Sequence, residues 1–195
     1  PSQKGTPQGG VISPLLANIV PAQLDSELAL NGYIFVRYAD DFIVLCKKAN
    51  DCEKALTFVN EVIENKLGLK LSKEKTRITS FRQGFDFLGF HFYYNGIRIR
   101  DKSVEKFKDN IRKHTIRSHN FNRDVICKLN QIIRGFANYF ARDFSRVKWQ
   151  FELLDYMIRR RLRCMKKKRI SLLDNQKIPN RVFLKLGLVP LLSLV

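Results

Sequence analysis

Acidic residues are scarce in this sequence: 18 Asp and Glu stand against 36 Lys and Arg, a formal charge of +18 over 195 residues. A folded chain this basic works beside a polyanion. Cysteine is thin as well. The four residues, at 46, 52, 127 and 164, include no CxxC pair, which argues against a disulfide-stapled scaffold; Cys46 and Cys127 fall in apolar runs and read as reduced, buried thiols. The three histidines, at 91, 114 and 119, match no zinc pattern. No apolar run approaches the roughly 18 residues that span a bilayer, so no membrane partner is expected. The first ten residues, PSQKGTPQGG, have neither an initiating Met nor the makings of a signal peptide, and they open in a loop, so the chain reads as a fragment. It contains no internal repeat.

Apolar residues, by contrast, are plentiful. They make up 45% of the chain and include 15 Phe, enough to form a core and too many for a disordered polymer. The charge is unevenly placed. Residues 1–100 hold 13 basic and 10 acidic side chains, and residues 101–195 hold 23 and 8. Two regions with different work are expected, divided near residue 100.

Residues 1–12 form a Gly- and Pro-punctuated loop. Ser13 is placed to cap a helix with Pro14 at its first position, Pro21 should kink or interrupt that helix, and Asn31-Gly32 should stop it. Residues 33–46, YIFVRYADDFIVLC, are two aromatic and β-branched stretches around AlaAspAsp and predict a β-hairpin. Cys52, Leu56, Val59, Ile63 and Leu67 recur at the helical period, with Gly68 as the stop. A strand is expected from about Thr76, then a hairpin turning at Asn95-Gly96. Beyond residue 101 the period stays helical. Three stripes (Val104 to Ile111, Ile126 to Phe140, Val147 to Leu162) can bury one another as a bundle, and the residues after Gln176 should form a packed irregular tail.

The chemistry concentrates in Asp40 and Asp41. Acidic turns are ordinarily innocent, because carboxylates bond nearby backbone N–H groups. Here the flanking strands are too apolar for an exposed ribbon, so the turn should emerge from a core, and adjacent carboxylates repel unless a cation or water separates them. Magnesium is the hard cation that suits them, and two such ions support nucleotidyl transfer. Two Asp are too few ligands; Asp25 and Glu27 are candidates by proximity in sequence, but both lie on the presumed helix and neither is compelling.

TyrAlaAspAsp at 38–41, in the setting FVRYADDFIVLC, resembles the catalytic hairpin of reverse transcriptases, in particular those encoded by group II introns. GTPQGGVISPLLANI at 5–19 resembles the segment that follows the family's first catalytic strand. LGLKLSKEKTRI at 67–78 and FDFLGF at 85–90 resemble the next two motifs, and LNQIIRGFANYF at 129–140 resembles the RNA-binding thumb, or maturase region. Five blocks occur in the family's order. The resemblance implies an α+β fold: a partial reverse-transcriptase palm of antiparallel hairpins packed with helices (1–100), an all-α thumb bundle (101–175) and an apolar tail (176–195).

It also implies roles. Asp40 would coordinate catalytic Mg2+, with Asp41 shaping the charge around metals and primer end. Tyr38 and Ala39 would form the floor beneath the incoming dNTP. Pro7, Gln8, Gly9 and Gly10 would contact template and nucleotide, the glycines allowing close backbone approach. Lys75, with Lys73 two residues away, would approach the triphosphate. Phe87, Leu88, Gly89 and Phe90 resemble the primer grip. Arg134, Asn138 and Arg142 recur at four-residue spacing, a helical face that can track phosphates. The run 159–169 has eight basic residues in eleven, and Arg159, Arg160, Arg161, Lys166, Lys167, Lys168 and Arg169 suit RNA recognised by backbone and shape. The partners implied are group II intron RNA, or an RNA template with a DNA primer, in a bacterial cytoplasm or an organelle.

The sequence departs from the family in three ways. No segment resembles the first catalytic strand, whose Asp shares both metals with the residue matched by Asp40, so an N-terminal polypeptide carrying fingers and that Asp would have to complete the site. Pro21 interrupts a stretch that resembles a continuous helix. No His and Cys cluster of an endonuclease region follows residue 165. Two functions are therefore weighed: part of an RNA-directed DNA polymerase, inactive by itself, and a non-catalytic RNA-binding maturase remnant. A basic DNA-binding or ribosome-associated protein would explain the charge but not the ordered motifs.

Overall fold

The computed structural model describes residues 11–72, 74–170 and 177–195, with Pro14, Leu16 and Ala17 described in backbone only. Helix α1 spans Ser13–Leu30. Ile12 occupies the N-cap position without a side-chain bond, and Ser13 is already helical, so the expected serine cap is absent. The helix runs unbroken through Pro21. An interior proline costs about 3 kcal/mol, and the next two turns offset it by burying Leu24 and Leu28, each contributing about 1.5–3 kcal/mol. The stop comes as expected. Gly32 adopts φ +73°, and its N–H and that of Tyr33 donate to the carbonyls of Ala29 and Leu28, closing the helix as a Schellman motif.

Strands β1 (Ile34–Tyr38) and β2 (Asp41–Leu45) form an antiparallel hairpin in the register Phe35↔Val44 and Tyr38↔Asp41. Strand alternation sends Tyr33, Phe35, Phe42 and Val44 to one face, where they pack on Leu24 and Leu28 of α1 and on Val59, Val62 and Ile63. The last three belong to α2 (Ala49–Glu61) and the π-helical turn Val62–Lys66 that extends it. The other face of the hairpin is open, with Ile34, Val36, Tyr38 and Leu45 exposed. The hairpin thus emerges from a core on one side only. The strand expected from Thr76 does not form; residues 76–80 are coil, and no strand among the described residues pairs with them.

The chain divides into two compact units at residues 79 and 80. In the second, β3 (Phe85–Phe87), β4 (Phe90–Tyr93) and β5 (Gly96–Ile99) make an antiparallel meander in that order. The β4–β5 turn is Tyr94-Asn95, with Gly96 already opening β5. Helices α3 (Asp101–His114), α4 (Arg123–Phe140) and α5 (Lys148–Lys167) follow. Their stripes meet around Phe107, Ile111, Ile126, Leu129, Ile133, Phe151, Leu154, Ile158 and Leu162, and Phe90 and Ile99 join the same core. Gln150 of α5 takes the N–H of Ile99 at 2.8 Å and donates to its carbonyl at 3.0 Å, satisfying the outer edge of β5. The change of composition near residue 100 falls inside this unit. The tail is not wholly irregular: α6 (Asn180–Lys185) and a terminal 3-10 turn (Leu191–Leu194) bring Phe183 and Leu191 into the core. Cys127, expected in the interior, is exposed on α4, because Ile126 and Leu129 take the buried positions beside it.

Candidate functional site

The hairpin turns through two residues, Ala39 and Asp40, between the paired Tyr38 and Asp41. Ala39 sits at φ +54°, a region that disfavours every residue with a Cβ except where its surroundings hold it. Asp40 and Asp41 are exposed, and neither carboxylate has a hydrogen-bond or ion-pair partner among the described residues. Asp41 shares the open face with Tyr38, Val36 and Leu45, as strand alternation requires.

Behind the turn stands Arg37. Its Nε and Nη2 hold the Asp25 carboxylate at 2.8 and 2.6 Å, and its Nη1 donates to the Ala39 carbonyl at 2.9 Å and to Asn18 Oδ1 at 3.2 Å. The hydrogen bond and charge of Asp25 raise the pKa of a guanidinium that is already permanently protonated. Asp25 is thereby spent on a structural pair, and Glu27 is paired with Lys66 at 2.7 Å. Neither further carboxylate is free for a metal beside Asp40. Among the described residues, no group of three or more His, Cys, Asp or Glu side chains could hold an ion. Lys75 is exposed after a turn in which its N–H bonds the Ser72 carbonyl. Pro7, Gln8, Gly9, Gly10 and Lys73 lie outside the described residues.

In the second unit, Leu88 (φ +47°) and Gly89 (φ +81°) form the two-residue turn between Phe87 and Phe90. Positive φ at both positions is the type I′ geometry that suits hairpin twist. Leucine is an unusual occupant, and α4 holds it there: the Tyr139 hydroxyl donates to the Leu88 carbonyl at 2.9 Å. A Cβ on Gly89 would meet Phe140 at 3.3 Å, so the turn is pressed against the same helix. Phe90 is ringed by Tyr139, Phe140 and Phe144 at 5.1 to 5.9 Å. This aromatic clamp was not legible in the motif FDFLGF.

The basic residues divide by what their head groups touch. Arg134 and Asn138 are exposed on α4. Arg142 lies beyond the end of α4, where its Nε bonds the Tyr139 carbonyl; the helical face expected of the three residues therefore contains only two. On α5, Arg160, Lys166 and Lys167 are exposed and Arg159 is half-buried. Arg161 is turned inward: its Nε and Nη2 donate to Thr115 Oγ1 and to the Thr115 carbonyl, satisfying the C-terminal end of α3. Lys168, itself in the left-handed region at φ +56°, bonds the carbonyls of Ser118 and His119. Arg163 is buried and donates to the Ile178 carbonyl and Asn180. Burial lowers the pKa of Arg161 and Arg163, and the nearby charges of Arg112 and Arg159, respectively, add to it.

Two family models match the chain in succession. Residues 1–92 match the reverse transcriptase (RNA-dependent DNA polymerase) model and residues 104–183 the group II intron maturase-specific domain. Together the two matches indicate a group II intron reverse transcriptase and maturase. It is 36% identical over 103 residues to the group II intron-encoded protein LtrA of Lactococcus lactis subsp. cremoris, covering 52% of this chain and 16% of that protein. It is 30% identical over 121 residues to the putative COX1/OXI3 intron 2 protein of Saccharomyces cerevisiae, covering 60% and 14%. With protein YkfC of Escherichia coli the identity is 31% over 122 residues, covering 45% and 32%. The chain thus spans a third or less of the length of these relatives.

The matched models are described as an RNA-dependent DNA polymerase and a group II intron maturase-specific domain, and the chain that carries them has a formal charge of +18. The reverse transcriptase family generally uses a divalent metal. Tested against that need, the tip of the hairpin fits in part. Asp40 and Asp41 offer the hard oxygen donors that Mg2+ takes, exposed and without a partner among the described residues. With Asp25 and Glu27 committed elsewhere, the described residues do not complete the set.

Proposed function

We propose that this chain is the rear of the palm and the thumb of a group II intron RNA-directed DNA polymerase, that Asp40 holds Mg2+ there, and that the helical unit grips intron RNA. The observation that carries the reading is a pair of carboxylates on a braced turn, without a partner among the described residues, in a chain that matches this family. Bound Mg2+ would activate the primer hydroxyl and stabilise the leaving pyrophosphate. The chain's own part is positional. Asp40 presents its oxygens at the tip, Tyr38 and Ala39 floor the site beneath a dNTP, and Lys75 approaches the triphosphate. The Leu88-Gly89 turn, fixed by Tyr139, bears on the primer backbone. Among the described residues none sets a further free carboxylate beside Asp40, and the family's first catalytic strand would provide it.

Primer extension on an RNA template tests this. Residues 1–195 by themselves should extend no faster than their Asp40→Ala form, and Mg2+-dependent extension should appear when the family's first catalytic strand is supplied in the same chain or in trans. A complete protein that binds intron RNA but never extends a primer would replace this reading with the maturase remnant.

The RNA surface has its own test. Arg160, Lys166 and Lys167 are solvated, so changing all three to Gln should weaken intron RNA binding and flatten the slope of log K against log[salt] by about 2 to 3. Arg161→Gln should instead lower the melting temperature, because it strips α3 of its C-terminal partners. Filter binding from 50 to 300 mM salt, with melting curves alongside, separates the two classes. An unchanged salt slope in the triple variant would remove α5 from the interface.

A further inference from the structure

We propose that Arg37 is a positioning residue for the Asp40 carboxylate, holding the Ala39–Asp40 peptide in the orientation that points Asp40 out of the turn. The inference rests on the polymerase reading of the site. Its basis is a strut whose two ends are both visible. At one end, Asp25 receives Nε and Nη2 side by side, at 2.8 and 2.6 Å. Asn18, seven residues earlier and so two turns along the same face of α1, receives Nη1 at 3.2 Å. At the other end, that Nη1 takes the Ala39 carbonyl at 2.9 Å. The guanidinium is planar, so anchoring it at Asp25 fixes the direction in which Nη1 points.

The target of that last bond is what makes the strut more than an ion pair. The Ala39 carbonyl belongs to the peptide whose nitrogen is that of Asp40, and Ala39 is held at φ +54°. A non-Gly residue there is strained and persists only when its surroundings over-determine it. Among the described residues, Arg37 supplies the hydrogen bond that does so. The side chain is 13% exposed and Asp25 30%, so water competes weakly for the fork. Arg37 faces α1 along with Phe35, whereas Asp41 and Tyr38 occupy the opposite face. The arginine therefore braces the turn from beneath and leaves the metal-facing side clear. It touches neither substrate nor metal.

The decisive measurement is a mutant cycle in the complete polymerase. Arg37→Gln should lower kcat about 10- to 100-fold, the cost of displacing a reacting group by about an ångström. It should also raise the Mg2+ concentration needed for half-maximal rate, with the KM for dNTP moving less. Arg37→Lys should not rescue, because an ammonium cannot grip Asp25 and Ala39 at fixed angles. In an Ala39→Gly background the loss on Arg37→Gln should shrink to about fivefold or less, since glycine reaches positive φ without support. An equal loss in both backgrounds, or an unchanged Mg2+ requirement, would make Arg37 an ordinary stabilising ion pair and overturn the proposal.

A second arm needs no activity. In NMR spectra of residues 1–195, Arg37→Lys should shift the Ala39, Asp40 and Asp41 amides while the α2 amides stay in place. Unmoved turn resonances would also overturn the proposal. If the unsubstituted complete protein extends no primer, the polymerase reading fails, and the amide shifts still decide whether Arg37 sets the turn.

Discussion

Asp40→Asn will lower the single-turnover rate of the complete polymerase by about 10³-fold, about 4 kcal/mol of activation free energy. Asparagine keeps the size and one oxygen, so the change removes charge and little else. A carboxylate at a Mg2+ site is chosen for that charge, since a neutral amide competes poorly with water for a hard cation. The residue is exposed, sits in a turn and has no partner among the described residues, so the fold has little stake in it and the melting temperature should hold within a degree or two. Asp41→Asn should cost less, about 10- to 100-fold, the range seen when a group beside the metal, not on it, is changed. Asp41 is paired in register with Tyr38 at the start of β2, and its backbone conformation is that of the strand and not of the turn. Primer extension across a Mg2+ titration measures both variants. A loss under tenfold for Asp40→Asn, or a larger loss for Asp41→Asn, would remove Asp40 from the metal.

What the sequence could reveal about this site follows from how local each signal is. The hairpin, the acidic tip and the helical stripes depend on residues a few positions apart, and periodicity and turn chemistry expose them. Arg37 could not be found that way. Its partners lie 12 and 19 residues back in α1, and only the packing of that helix beneath the hairpin makes an arginine in a strand into a brace. The same blindness affects the run 159–169, which reads as one basic surface. Helical rotation turns Arg163 inward and Arg161 partly so, because positions 158, 162 and 165 on the same side are core, while Arg160 and Lys167 stay in solvent. Composition counts a guanidinium bonded to the Thr115 carbonyl and one free to meet phosphate as the same charge. Pro21 misled for a related reason. Its local cost is real, but Leu24 and Leu28 are buried with residues as distant in the chain as Val59, Val62 and Ile63, and that gain is invisible in the helix itself.

The second large effect should be on stability, at Asp155. This carboxylate is 5% exposed on the inner side of α5 and accepts the N–H groups of Leu191 and Leu192 at 2.9 and 3.1 Å. Leu191 is fully buried in the main core together with Phe183 and Leu188, so Asp155 holds the residues that close the bundle. Asp155→Ala leaves two backbone donors without a partner at about 1–3 kcal/mol each, a drop in melting temperature of about 10 °C for a unit of this size. Asp155→Asn retains one acceptor and should cost less. The two differ again in pH dependence. Desolvation raises the Asp155 pKa above its ordinary 3.8, opposed by the two backbone hydrogen bonds and by the Arg159 charge. A carboxyl whose folded pKa is raised binds its proton more tightly in the native state. Its stabilising contribution is complete below the unfolded value and is lost as pH climbs through the folded one. Urea unfolding between pH 3.5 and 7 should therefore show the native chain losing ground to Asp155→Asn as pH rises through that window. A difference that grows in the opposite direction would mean that the N–H groups and Arg159 outweigh burial, and that the ionised carboxylate is itself what holds the end of the chain.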